Sequence, residues 1–310
     1  MDNKGGVQQL EVDENHTQQR IDNFLFSQLK GVPKSRIYKA LRKGEVRVNK
    51  KRVKPEYKLQ LGDILRLPPF RTPMKDENKP AVPGTRLSEL IKTQIMMEDN
   101  DLIILNKPAG IAVHGGSGIS FGVIEILRAL NPRAKFLELV HRLDRDTSGC
   151  LLIAKKSSVL KEIHSLLIAR EVTKTYWLLV AGKCDFKEET VEAPLQKNIL
   201  KSGERIVVVD EEGKSAKTIF KCIKHIGNLS LLEAKPVTGR THQIRVHAAY
   251  LGHPIVGDDK YGDHEVNKEC RRQGINQLCL HSSSIEFYLQ SKERKVAICA
   301  LLKEPWVEHL

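Results

Sequence analysis

The chain has 310 residues, enough for one large domain and a small one, and 40% of them are apolar, as in globular proteins. It has no apolar run of membrane-spanning length and no signal-peptide pattern at its N-terminus, so we expect a cytoplasmic protein with no membrane partner. Six cysteines, at positions 150, 184, 222, 270, 279 and 299, include no pair two residues apart, which argues against a zinc knuckle or a redox pair.

The positive charge is concentrated near the N-terminus. The formal net charge is +13, and residues 20–71 hold 15 Lys and Arg against four Asp and Glu, a net of +11. The other 258 residues therefore carry only +2. A basic module attached to a nearly neutral body is typical of a protein that binds nucleic acid.

The first predicted elements are two short helices. Residues 1–17 are polar and without periodicity, and we expect a flexible tail there. Apolar residues then recur at helical spacing in two runs, the first ended by Gly31 and the second, after Pro33, by Gly44. The apolar positions are Ile21, Leu25 and Leu29 in the first run and Ile37, Ala40 and Leu41 in the second.

A small hairpin is predicted after the helices, because Val46 and Val48 alternate with charged residues, residues 49–51 make a turn and Val53 resumes the alternation. A basic helix pair followed by a hairpin resembles the S4 RNA-binding domain. The resemblance implies that exposed cations contact RNA phosphates, which gives affinity with little sequence choice. These cations are Lys34, Arg36, Lys39, Arg42, Lys43, Arg47, Lys50, Lys51 and Arg52.

The chain therefore divides into an S4-like module at 18–70, a proline-punctuated linker at 71–86 and a body at 87–310. In the body, strands outnumber helices and are often joined by short turns, which predicts an α+β fold with a mainly antiparallel mixed sheet. Short helices are predicted at 121–130 and around 159–167. Another starts near Thr241, which puts Arg240 in its entry loop and Arg245 in its first turns.

Residues 141–149, HRLDRDTSG, carry charged side chains between two apolar, strand-like segments. The flanking segments are expected to be buried, which pushes this stretch to a sheet end that faces a cleft. Cations beside Asp144 and Asp146 favour ionised carboxylates that could be presented to a ligand. A polar turn with no function explains the same residues equally well on chemistry alone.

The stretch HRLDRDTSG and the stretch PVTGRTHQIRVH at 236–247 resemble the paired signatures of pseudouridine synthases that act on large-subunit ribosomal RNA. Further similarity lies in NKPAGIAVHGGSG at 106–118, KTYWLLVAG at 174–182 and GHPIVGDDKYG at 252–262. The resemblance runs from about residue 18 to the C-terminal end. It decides between the two readings of residues 141–149 in favour of function.

The resemblance implies an enzyme that flips uridines out of 23S ribosomal RNA and isomerises them to pseudouridine, without a metal or a small-molecule cofactor. Asp144 is then the essential carboxylate, acting either as a nucleophile or as a base on the sugar. Arg245 pairs with Asp144, and Tyr176 stacks on the flipped base. Arg142 fills the gap that the flipped base leaves in the RNA stack, and Arg240 contacts RNA phosphate or the loop backbone. We expect a monomer.

Several alternatives stay open at this point. Tyr176 could be an ordinary strand aromatic, and Arg142 could form a salt bridge to Asp146 at the rim. The enzyme could act on another RNA, such as transfer RNA. The chain could also be a ribosome-binding assembly factor that has lost activity, although the presence of the full residue set favours the enzyme.

Overall fold

The computed structural model describes residues 6–29, 31–70, 83–116, 121–199, 205–304 and 306. The chain forms two compact units, one of residues 1–82 with 156–158 and one of residues 83–155 with 159–310. Most of the predicted linker, residues 71–82, lies outside the described residues. Its last two residues, Thr85 and Arg86, already belong to a helix, so the predicted linker extends two residues too far.

The elements alternate irregularly between helices and strands. The helices are α1 (Ile21–Gln28), α2 (Lys34–Lys43), α3 (Thr85–Thr93), α4 (Val123–Leu130), α5 (Ser157–Ala169), α6 (Gln243–Tyr250) and α7 (His264–Arg272). The strands are β1 (Gln8–Glu11), β2 (Arg47–Val48), β3 (Ile64–Leu67), β4 (Ile95–Glu98), β5 (Leu102–Lys107), β6 (Glu138–Leu139), β7 (Ser148–Ala154), β8 (Thr173–Ala181), β9 (Glu188–Glu192), β10 (Leu195–Ile199), β11 (Arg205–Val209), β12 (Lys217–Ile226), β13 (Leu229–Pro236), β14 (Leu280–Leu289) and β15 (Arg294–Cys299).

The first unit packs α1 and α2 with a three-stranded antiparallel sheet of order β1-β3-β2. The apolar residues that predicted the helices are buried, including Ile21, Leu25 and Ile37. Gly44 ends α2 with a left-handed backbone (φ 70°), which lets its N–H cap the carbonyls of Ala40 and Leu41. The predicted helix pair is present.

Two predictions in this unit are wrong. Part of the predicted tail is ordered, because Gln8–Glu11 form a strand that pairs with Ile64–Leu67. A solvent-facing edge strand needs few apolar residues, so its polar sequence gave no signal. The predicted hairpin is also incomplete: Arg47–Val48 pair with β3, whereas Val53 belongs to no strand.

The second unit is built on a ten-stranded sheet in which eight strands follow the order β4-β5-β7-β14-β8-β13-β12-β9. Strand β15 pairs with β14, and β6 pairs with β7. The β7–β14 pair is parallel, and every other pair is antiparallel. The predicted α+β fold with a mainly antiparallel mixed sheet is confirmed. Strands β10 and β11 form a separate two-stranded sheet.

Both faces of the central strands are buried, since β5 and β7 consist entirely of buried residues. Alternate side chains enter two different cores, as the pleat requires. Ile103 and Leu151 pack on the face that α4 covers, and Leu102 and Leu152 pack with residues of α5. The strand pair β5–β7 is therefore a rigid support for the loop that precedes β7.

The loop before β7 contains the charged residues of the stretch 141–149 and lies at the end of the sheet, as predicted. Gly149, the second residue of β7, has φ 106°, and a side-chain carbon there would lie 2.2 Å from the carbonyl oxygen of Ser282. Glycine therefore permits β14 to approach β7 where the loop joins the sheet.

No helix within the described ranges is long and apolar enough to cross a membrane. The described residues also include no group of three or more His, Cys, Asp or Glu side chains that could hold a metal ion. Their six cysteines are all free, and four of them are buried.

Candidate active site

The loop at 141–147 is held in place on both sides of Asp144. Leu143 is 4% exposed and is part of the main core, so the residue just before Asp144 is fixed by packing. At the start of the loop, the backbone N–H of Leu152 donates to Nε2 of His141 over 3.3 Å. Asp144 thus projects from an anchored segment and is only partly buried.

The far end of the loop is tied to β14. Nε2 of His281 lies 3.1 Å from the carbonyl oxygen of Ala300, which requires the proton on that nitrogen. Nδ1 is then the acceptor for the hydroxyl of Ser148, at 2.9 Å. Because all three residues are nearly or fully buried, this bond fixes the residue at which the loop becomes strand.

A buried lysine holds the middle of the loop. Nζ of Lys107 donates to the carbonyl oxygens of Pro108, Ile111 and Arg145 at 2.7–2.9 Å. Three acceptors match the three N–H groups of an ammonium. Burial lowers the pKa of Lys107 to about 7, although the negative charge of Asp146 opposes that shift. The contact to Arg145 fixes the residue that follows Asp144.

Asp144 faces a cavity of about 420 Å³ that contains most of the predicted site. The wall of this cavity is formed by the 141–147 loop, β8 and the segment that leads into α6. The cavity brings together Arg142, Asp144, Lys174, Tyr176, Arg240, His242 and Arg245. A second cavity, of about 640 Å³, shares Arg142, Asp144, His242 and Arg245 and extends towards Asp258.

Arg245 joins two carboxylates of different character. Its Nε and Nη2 donate to the two oxygens of Asp258, both at 2.7 Å, in a bidentate pair. Its Nη1 lies 3.4 Å from Oδ2 of Asp144. The side chain of Asp258 is 0% exposed, whereas that of Asp144 is 22% exposed. Asp258 therefore fixes the guanidinium, and Asp144 is the carboxylate that can meet a ligand.

The electrostatics of the buried pair agree with this division. Burial disfavours both charges, but the hydrogen bonds and charge of Asp258 outweigh it and raise the pKa of Arg245. Burial likewise opposes the ionised form of Asp258, and Arg245 overcomes that effect and lowers the pKa of the carboxyl. The backbone N–H groups of Lys260 and Tyr261 also donate to Asp258. Arg245 thus carries a fixed positive charge next to Asp144.

Tyr176 lies on β8, between Ala234 of β13 and Ser282 of β14. It is 8% exposed and lines the first cavity, so part of its ring can be reached from there. Burial raises the pKa of Tyr176 to about 12, and the hydroxyl stays protonated at neutral pH. Its neighbours are compatible both with an ordinary strand aromatic and with a stacking surface.

Arg142 is exposed and lines both cavities. The alternative ion pair between Arg142 and Asp146 is not formed, and Asp146 instead pairs with Arg145 at 3.0 Å. Arg240 is also exposed, and its Nε donates to the carbonyl oxygen of Ser215 over 3.0 Å. This bond holds the guanidinium at the cavity wall, and the contact of Arg240 with RNA phosphate or the loop backbone stays a prediction.

The nine predicted RNA-binding cations of the first unit are exposed, except for the half-buried Arg36. Arg36 forms an ion pair with Glu45 at 2.7 Å and lies over the ring of Phe70. Arg47 donates to the carbonyl oxygen of Gly44. Arg36 and Arg47 therefore have structural contacts as well.

Sequence reasoning missed four residues of the site. Lys107 and Asp258 fall in the stretches NKPAGIAVHGGSG and GHPIVGDDKYG, and Lys174 opens KTYWLLVAG, so the motifs pointed to them without giving a role. His242 falls in PVTGRTHQIRVH, a stretch in which roles were predicted only for Arg240 and Arg245. The missed contacts join residues that are distant in sequence or depend on backbone angles, and no local spacing reports them.

Comparison with known proteins agrees with these features. Residues 101–250 match the RNA pseudouridylate synthase family, and residues 19–65 match the S4 domain. The chain is similar to proteins named ribosomal large subunit pseudouridine synthase C. In Haemophilus influenzae that protein is 56% identical over 91% of this chain and 87% of its own length. In Escherichia coli (strain K12) it is 55% identical over 87% of this chain and 85% of its own length.

Among solved structures, human RNA pseudouridylate synthase domain containing 1 has a TM-score of 0.59 and 25% identity, and covers 71% of this chain and 86% of its own. Human RNA pseudouridylate synthase domain containing 4, at 23% identity and a TM-score of 0.59, has a similar fold over 72% of this chain and 94% of its own. The resemblance inferred from HRLDRDTSG and PVTGRTHQIRVH is confirmed. The chain belongs to the RNA pseudouridylate synthase family and carries an S4 domain at its N-terminal end.

Proposed function

We propose that this protein converts specific uridines of 23S ribosomal RNA to pseudouridine, with Asp144 as the catalytic carboxylate. Relatives that are 52–56% identical over most of the chain are named for the large ribosomal subunit. The observation that carries the residue assignment is the contrast around Arg245. One carboxylate is buried and fixes the guanidinium, and the other faces a cavity.

The reaction detaches uracil from C1′ of the ribose, rotates it and rejoins it through C5. The atoms and electrons of the nucleotide balance without a redox partner. An ionised carboxylate serves this reaction either by attacking the nucleotide or by removing a sugar proton as the glycosidic bond breaks. Asp144 suits both roles, because anchors on either side hold its backbone and its side chain remains accessible.

Arg245 places a positive charge beside Asp144. The contact of 3.4 Å is long for a charge-assisted hydrogen bond, so the carboxylate is attracted without being fully engaged. Asp258 takes the stronger bidentate bonds and prevents the guanidinium from moving into the cavity. We propose that Arg245 places its positive charge beside the carboxylate of Asp144 and that Asp258 positions Arg245.

Tyr176 is proposed to stack on the flipped base. A base inside structured RNA must leave its stack to be reached, and an aromatic face compensates part of that loss. The cavity has Tyr176 on one wall and Asp144 on another. Arg142, exposed and without an ion pair among the described residues, is proposed to occupy the space that the base leaves. Arg240 is proposed to contact RNA phosphate at the cavity wall.

Residues 18–70 are proposed to bind ribosomal RNA as an S4 domain, with 71–86 as linker and 87–310 as catalytic domain. The S4 match at 19–65 and the exposed cations of α2 support this division. The cations would contact phosphates, and structured RNA would be recognised mainly by shape. The monomeric state and the cytoplasmic location remain predictions.

The test is to map pseudouridines in ribosomal and transfer RNA from cells with and without the gene, and with the gene encoding Asp144→Asn. We expect specific 23S sites to lose the modification in the deletion strain and to stay unmodified with the variant. Loss of modification only in transfer RNA would replace the proposed substrate. Unchanged RNA with a defect in ribosome assembly would support the assembly-factor alternative.

A further inference from the structure

His242, the residue before α6, lies against Asp144. Its Nε2 is 3.8 Å from Oδ2 of Asp144, and its side chain is 18% exposed. Its backbone is left-handed (φ 52°), a conformation that is uncommon for residues other than glycine. Departures of this kind cluster at functional sites, and here the departure places the imidazole at both cavities.

A chain of hydrogen bonds fixes which nitrogen of His242 carries the proton. The backbone N–H of Val207 donates to the hydroxyl oxygen of Tyr261 over 2.9 Å. That oxygen lies 2.8 Å from Nδ1 of His242. Within the described ranges, no other acceptor bonds to the hydroxyl proton, so Tyr261 donates to Nδ1. A neutral His242 then has its proton on Nε2, the nitrogen that lies 3.8 Å from Oδ2 of Asp144.

The neighbouring charges allow the neutral form. Burial is the main influence and lowers the pKa of His242 below its ordinary value. Asp144 and Asp258 oppose that shift, whereas Arg245 and Lys260 reinforce it. The lowered pKa favours a neutral imidazole, with its proton on the nitrogen that lies nearest Asp144.

Two donors converge on the same oxygen of Asp144. Nη1 of Arg245 and Nε2 of His242 both approach Oδ2, at 3.4 and 3.8 Å. Oδ1 accepts no hydrogen bond from any residue in the described part of the chain. Carboxylates rotate easily about their last torsion, so two donors on one oxygen would define where the other oxygen points.

We propose that His242 is a positioning residue. In the RNA complex its Nε2–H donates to Oδ2 of Asp144, and together with Arg245 it directs Oδ1 at the nucleotide. The inference rests on the proposed catalytic role of Asp144. Nε2 of His242 and Oδ2 of Asp144 are 3.8 Å apart, so a small movement would bring them within hydrogen-bond distance. Catalytic hydrogen bonds often shorten in this way when substrate binds. Tyr261 supports this role, because its hydroxyl donates to Nδ1 of His242 and keeps the proton of the imidazole on Nε2.

His242→Gln and His242→Asn separate positioning from structure. The amide nitrogen of Gln reaches the place of Nε2, whereas the shorter amide of Asn reaches only that of Nδ1. Asn tolerates the left-handed backbone better than Gln does. A purely structural role for His242 therefore predicts that the Asn variant is the more stable and the more active of the two. A positioning role predicts instead that the Gln variant has the higher kcat. We expect about a 100-fold loss of kcat for Asn and a loss within about tenfold for Gln, with KM for RNA nearly constant.

Full-length variants are assayed on a 23S transcript at saturating and limiting RNA, and thermal unfolding is measured on each. A kcat for Asn within about threefold of that for Gln, or above it, overturns the inference. Asp144→Asn is assayed in parallel. If that variant is active, the proposed function fails; if it is inactive while both His242 variants resemble wild type, only the role of His242 fails.

Tyr261→Phe supplies an independent measurement. Losing the hydroxyl frees the tautomer of His242 and should lower kcat several-fold in the wild-type background. Gln has no tautomer, so the same change should have little effect on kcat in the His242→Gln background. Equal effects in the two backgrounds would contradict the proposed hydrogen-bond chain.

Discussion

The two units use charge in opposite ways. In the first, most cations of α2 and the segment after it are exposed and spread along the surface. In the second, Arg245 is 9% exposed and contacts two carboxylates within 4 Å. Exposed charges are screened by salt and each adds little, whereas a buried group depends on specific partners. We therefore expect single substitutions of the buried charged groups around Arg245 to be severe, and those of the exposed cations in the first unit to be mild.

The largest effect is expected for Asp144→Asn. The swap keeps the size of the side chain and removes its charge, so the fold and RNA binding should persist. Turnover should fall by about a thousandfold or more, since a missing catalytic nucleophile or base is not replaced by its neighbours. Single-turnover conversion at saturating RNA measures this, with the thermal midpoint as a check on folding. Asp146→Asn is the matched control and should keep substantial activity, because Asp146 pairs with the exposed Arg145.

Arg245→Met should reduce both activity and stability. It removes the cation beside Asp144 and leaves Asp258 buried with only backbone donors. Breaking a buried pair in this way costs about 3–5 kcal/mol of unfolding free energy. Urea unfolding and turnover at neutral pH are the measurements.

The double variant Arg245→Met/Asp258→Asn distinguishes the two losses. With no uncompensated buried charge, it should recover part of the unfolding free energy. It should recover no turnover, because the cation beside Asp144 is still missing. A normal turnover for either variant would contradict the proposed role of Arg245.

These expectations also indicate how much the sequence could predict. Helical spacing located α1 and α2, and apolar flanks placed residues 141–149 at a sheet end, because burial patterns are local. The bidentate bond from Arg245 to Asp258 crosses from α6 to a loop, and its geometry follows only from the folded chain. The strand Gln8–Glu11 escaped prediction because its partner β3 lies more than 50 residues later. The position of His242 depends on its left-handed backbone angle, and the spacing of residues in the sequence does not predict that angle.

Tyr176→Phe should have a smaller effect than the charge substitutions. The ring and its packing between β13 and β14 remain, and only the hydroxyl is lost. Because burial raises the pKa of Tyr176 to about 12, the hydroxyl does not supply a negative charge near neutral pH. We expect RNA affinity to be retained and kcat to stay within about tenfold of wild type. Complete loss of product would mean that the hydroxyl takes part in proton transfer.

The smallest effects are expected for single cations of α2. Lys39 and Lys43 are exposed, and each would neutralise at most one phosphate. Lys39→Gln or Lys43→Gln should therefore flatten the plot of log affinity against log salt by about 0.7 to 0.9. Turnover at saturating RNA should change little, because the loss falls on binding.

Lys295→Gln, a charge change of the same size on β15, is the matched control for this measurement. Lys295 is exposed and paired with Glu286, and it lines neither cavity of the site. Its removal should leave the salt slope unchanged. Binding of a 23S fragment is titrated at four or more salt concentrations for each variant, and the double variant Lys39→Gln/Lys43→Gln should show the summed change in slope. Equal slopes for wild type and the double variant would mean that α2 does not contact this RNA, and the contrast between the two units would then need another explanation.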